Sequence, residues 1–244
     1  TEIYTLSLHD ALPICATEQA EQQLLPADEA KLVATMRQQT DAAAALQTGK
    51  DLSEELRFYT AAAVVFAKDP KAAITLFQQV LALPAEAQQQ RRSWALYSLA
   101  RLQAETAPQQ AIQLWQQLRT EVAAGLADPL QLAVASLGEE ARLLLAQQQW
   151  HDAIGLYATQ AHYDASGYAS LLQLSRQLLA KPDAELQPLL QQPAVSRLLS
   201  IYLLTQLSGL QYSAPQQLTR LLQLLQQSPE IQLEIGRASC RERV

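Results

Sequence analysis

The sequence predicts an all-α chain built of antiparallel helical hairpins. Three observations carry that expectation. The first is composition: alanine, leucine and glutamine dominate, glycine appears only 7 times in 244 residues, and clusters of Val, Ile, Thr and aromatics that favour strands are missing. The second is an internal repeat. Ala73-Ile74-Thr75-Leu76-Phe77, Ala111-Ile112-Gln113-Leu114-Trp115 and Ala153-Ile154-Gly155-Leu156-Tyr157 all read Ala-Ile-x-Leu-aromatic. On a helix this puts the alanine and the ring at i and i+4 on one face, a small residue beneath a large one, which lets a neighbouring helix approach closely. The third is punctuation: each repeat follows a break, at Asp69-Pro70, Thr106-Ala107-Pro108 and Trp150-His151-Asp152, where prolines and capping residues open helices.

The elements follow in order. Ala27–Leu46 reads as one helix entering the array, with a turn at Thr48-Gly49-Lys50 and an N-cap at Asp51 or Ser53. Leu52–Ala67, Trp94–Ala104 and Leu130–Ala146 are amphipathic stretches that pair with the three repeats, making three hairpins over residues 51–165. Leu171–Ala180, Ala184–Gln191, Ala194–Leu207 and Pro215–Gln227 read as further helices, split by Lys181-Pro182-Asp183, Gln192-Pro193 and Ser208-Gly209. This stretch, 166–233, is expected to continue the same stack with the repeat motif faded.

The two ends read differently. Glu234–Val244 and Thr5–Ile14 can be written as translations of opposite strands of one oligonucleotide, and the nucleotide string looks like a sequencing adapter. Residues 1–15 and 234–244 are therefore expected to be adapter-derived rather than natural protein, with Cys15 and Glu234 as junction codons. The natural protein is then expected to extend beyond both ends, and deleting them should leave helicity and melting temperature nearly unchanged.

Composition narrows function. The net charge of −6 is mild, and the densest basic cluster is Arg91-Arg92, too little to displace the counterions of a nucleic acid. No run of about 18 or more apolar residues reads as a membrane span. Both cysteines, Cys15 and Cys240, fall in the excluded ends, so no disulfide, zinc or thiol chemistry is expected. His151 and His162 match no helical metal spacing, and His151 beside Asp152 reads as a solvated turn. Adjacent carboxylates at Glu139-Glu140 point about 100° apart and read as a solvated face. Glycines are scattered singly, so no phosphate loop is expected. The expectation is no catalytic residue, no cofactor and no metal.

At residues 52–161 the chain resembles the tetratricopeptide repeat superfamily, in which a second helix carries Ala and an aromatic four residues later and often ends near a proline such as Pro84. The repeat alanines are 38 and 42 residues apart rather than about 34, and the Trp-Leu-Gly-Tyr signature of the first helix is not cleanly present. The resemblance implies a right-handed α-solenoid, and a fragment of a longer protein that acts as a non-catalytic scaffold holding a protein or peptide in a concave groove. Arg57, Arg101 and Arg142, on the first helices, would then form a basic ladder for acidic peptide ends, and Trp94 would be a candidate anchor. Trp115 occupies a packing position and is expected in the core. The rival expectation is a helical, non-catalytic domain of a larger enzyme, such as a bacterial cell-wall lytic enzyme. A bacterial periplasm is favoured slightly over the cytoplasm; oligomeric state is left open.

Overall fold

The computed structural model describes residues 21–226 apart from 22, 89 and 214; both segments read as adapter lie outside the described residues. Every described element is a helix, and no strand occurs among the described residues. The chain divides into two compact units, one up to Ser136 and one from Leu137.

The first unit holds α1 (Ala27–Arg37), α2 (Ala42–Thr48), α3 (Glu54–Val65), α4 (Pro70–Ala82), α5 (Arg92–Gln103) and α6 (Pro108–Ala123). It also holds the start of α7 (Leu132–Ala146). The helix expected over Ala27–Leu46 is broken in two. Asp41 is extended, and its carboxylate accepts the Ala44 N–H at 2.8 Å, so a new helix starts where helical periodicity alone continues the old one. Ser53, one of the two expected caps, accepts the Leu56 N–H, and Asp69 accepts that of Ala72 ahead of Pro70 at the first helical position.

Packing in this unit follows chain order: α2 lies on α3, α3 on α4, α4 on α5 and α5 on α6, while α1 lies on α2 and α3. The repeat seam explains the order. Ala73 and Phe77 of α4 and Ala111 and Trp115 of α6 are buried, as are Ala61 and Ala62 on α3. Small faces on α3 let the Tyr59, Phe77 and Trp94 rings meet, with Tyr59 5.6 Å from each of the other two.

The second unit holds the rest of α7, then α8 (Trp150–Tyr163), α9 (Ala165–Ala180), α10 (Asp183–Leu190), α11 (Pro193–Ser213) and α12 (Pro215–Gln226). Here α8 packs on α9 and α11, α9 on α11, and α10 and α12 on α11 and on each other. The third repeat keeps its seam, with Ala153 and Tyr157 buried, and burial pushes the Tyr157 phenol up to about 12. Its α8–α9 corner depends on Gly167: a Cβ there would fall on the Ala161 backbone, 2.7 Å from its Cα.

Three expectations fail in this unit. Trp150-His151-Asp152 is the first turn of α8 rather than a turn between helices; the reversal comes earlier, where Gln148 adopts φ 60° and the Gln149 N–H closes back on the Leu144 carbonyl. Helix α11 runs through Ser208-Gly209 without a break, glycine costing a helix only about 1 kcal/mol. Glu139 and Glu140 are buried at 7% and 4% exposure, and Glu139 pairs with Arg142 one turn on, so this is no solvated face. No helix among the described residues is long and apolar enough to cross a membrane.

Candidate functional site

The most concentrated charge in the core gathers around the start of α5. Between α4 and α5 the chain makes a single turn of 3-10 helix at Ala85–Ala87, and Gln88 pins it. The Gln88 amide donates to the Leu81 and Leu83 carbonyls and its oxygen accepts from Arg92. Arg91 is the N-cap residue of α5 and has no capping side chain of its own. The N–H groups left over at a helix start need acceptors. Glu55, from α3, supplies one: its carboxylate accepts Gln90 N at 3.0 Å and Arg91 N at 2.5 Å.

That arrangement turns the Arg91 side chain inward, where it is 0% exposed. Its guanidinium lies 4.1 Å from the Trp94 ring centroid and 5.7 Å from that of Tyr59. Its Nη2 is 3.6 Å from Glu21 Oε1, beyond a hydrogen bond, and Nε and Nη2 have no hydrogen-bond partner. Glu21 is itself held in a fork by Arg37, Nε to Oε2 at 3.1 Å and Nη2 to Oε1 at 2.7 Å. Two guanidiniums thus face one carboxylate, with Glu55 behind.

Burial sets the electrostatics. It pushes the Glu55 carboxyl above its ordinary value, against the backbone N–H groups and the Arg91 charge that favour ionisation. Burial likewise lowers Arg91, with the Glu21 carboxylate as the main opposing influence, and raises the Tyr59 phenol. Next door, Arg92 is about a quarter exposed and forks onto Glu121 of α6 at 2.5 and 2.7 Å. The Arg92 hydrogen bond holds Glu121 below the usual carboxylate range, and Glu121 raises Arg92 in return.

The residues singled out by sequence lie elsewhere or differently. Arg57 is in the first turn of α3, its guanidinium 5.2 Å from the Phe58 ring and paired with Glu54 at 3.6 Å. Arg101 is in the last turn of α5, 5.8 Å from the Phe66 ring. Arg142, in the second unit, pairs with Glu139. Arg57 stands 16 residues ahead of its repeat alanine, Arg101 10 and Arg142 11, so Arg57 sits at the opposite end of its helix from the other two. Trp94 is 0% exposed and offers no face to a ligand; Trp115, at 1%, is in the core as expected.

Glu21, Arg37 and Glu55 were not legible as a site. Glu21 and Arg37 are 16 residues apart, Glu55 and Arg91 36, and none belongs to a periodic motif. The one available signal was Arg91-Arg92 opening an aromatic-bearing helix. Chemically the cluster is two arginines facing one carboxylate, Arg37 forked onto it and Arg91 held over rings at 3.6 Å from it, rather than an acid–base pair. No group of three or more His, Cys, Asp or Glu side chains that could hold a metal occurs among the described residues. Against known proteins, the chain matches no family model, no curated protein and no solved structure.

Proposed function

We propose that the chain is a non-catalytic protein-binding scaffold, a right-handed solenoid of the tetratricopeptide-like kind. The observation that supports it most is the thrice-buried seam of Ala73 and Phe77, Ala111 and Trp115, and Ala153 and Tyr157. Helices joined by such a seam are stabilised by their neighbours in the chain, so their remaining faces are free to vary and to hold an extended segment. The step from this architecture to binding is analogy between folds.

In this reading Arg57 and Arg101 on the first unit meet the carboxylates of an acidic peptide, and Arg142 does so separately on the second. The test is selection from a displayed library of random peptides with free C-termini. The native chain should enrich sequences with Asp and Glu near the terminus, and the Arg57→Ala, Arg101→Ala, Arg142→Ala variant should lose that enrichment. Unchanged enrichment by the variant, or none by the native chain, would sink the proposal.

A further inference from the structure

We infer that Arg37 and Arg91 form a carboxylate-binding site which the chain's own Glu21 fills in cis, holding the segment that carries it over the first unit until a competing peptide carboxylate displaces it. The inference rests on the reading of the chain as a peptide-binding protein, but it uses none of Arg57, Arg101 or Arg142.

Three features carry it. Glu21 lies ahead of α1, outside the hairpin array, yet is 4% exposed, and its neighbour Leu25 is buried with it while Leu24 between them is exposed. A segment seated by one carboxylate and one leucine is docked as a peptide ligand is docked, through a charged anchor and an apolar one. Its seat is already built for a carboxylate: Arg37 grips both oxygens, and the rigid rings of Tyr59 and Trp94 hold the Arg91 guanidinium in place. The fit is incomplete on one side. Arg91 Nη2 stops at 3.6 Å, and its Nε and Nη2 are buried without a hydrogen-bond partner.

A buried guanidinium with unmade hydrogen bonds is destabilising, and a ligand carboxylate that reaches both arginines recovers what Glu21 leaves unmade. Glu55 does not compete, because its oxygens are taken by the Gln90 and Arg91 N–H groups. A cis occupant lowers the apparent affinity for any outside peptide by the fraction of time it is seated.

The probe is a fluorescent synthetic peptide copying residues 16–26, with its Glu21→Gln counterpart as control. The chain carrying Glu21→Gln keeps the shape of the segment but loses its charge, and should bind the Glu-bearing probe about tenfold more tightly than the parent does. The Gln-bearing probe should bind neither. Hydrogen exchange on the unmutated chain provides a readout independent of any variant: millimolar Glu-bearing probe should raise exchange at amides 23–25 while α3 and α4 stay protected. Equal affinity of parent and variant, binding to neither, or no change in exchange at 23–25 would overturn the inference. Loss of library enrichment in the Arg57, Arg101, Arg142 variant with this displacement intact would separate the two readings.

Discussion

Arg91 and Arg92 are neighbours in sequence and belong to different physical regimes. Arg91 points into the first unit, wholly buried against Tyr59 and Trp94, its charge answered at 3.6 Å by Glu21. Arg92 points along the surface between α5 and α6 and forks onto Glu121 at hydrogen-bond distance. The better-made ion pair is the less important one. An exposed pair trades well-solvated charges for a contact worth little, whereas a buried charge, once taken from water, makes everything around it depend on its presence.

The largest effect that could break this contrast is Arg91→Ala. It leaves the Glu21 and Glu55 carboxylates facing a cavity between rings, and should cost about 3–5 kcal/mol in urea denaturation. Arg91→Met sharpens the cause. It refills the space beside Trp94 and leaves Glu21 with Arg37, so its cost should be clearly smaller, about 1–2 kcal/mol. Equal losses for alanine and methionine would mean that charge, not packing, accounts for the whole effect.

Carboxylate titration should split the same way. Glu55 has a folded value raised by burial, so the stability it contributes is fully present below 4.5 and is lost as pH rises through that higher value. Glu55→Gln should therefore remove a decline in stability on the alkaline side of 4.5, measured as the pH dependence of the denaturation midpoint. Glu121 has a depressed value, so its contribution is present above 4.5 and is lost as pH falls through the folded value. Glu121→Gln should remove a decline on the acid side. A variant pair whose pH profiles shift in the same direction would contradict the contrast.

The smallest effect belongs to Arg92→Ala. With both partners about a quarter exposed, it should cost less than about 1 kcal/mol, and less again in 1 M salt.

How much of this could be read in the sequence follows from range. The three repeat helices were legible because Ala and an aromatic at i and i+4 is a local pattern that packing then uses, and Ala73, Ala111 and Ala153 are all fully buried. The split of the entering helix was missed because Asp41 sits in an alanine-rich run whose helical propensity hides a single capping residue. Glu139 and Glu140 misled because charge usually marks a wet face, while here an arginine one turn on answers Glu139. The Arg91 cluster was invisible for a stronger reason. Its members come from four stretches of chain, and only packing brings Glu21, Arg37, Glu55 and Arg91 together.

The central claim is that Arg91 belongs to the core of the first unit and Arg92 to its surface. Urea unfolding of Arg91→Ala and Arg92→Ala side by side, followed by tryptophan fluorescence at low and at 1 M salt, tests it most directly. The account predicts a loss for Arg91→Ala at least about 2 kcal/mol larger than for Arg92→Ala, with the Arg91 loss little changed by salt. Losses of equal size, or an Arg91 loss that salt abolishes, would contradict it.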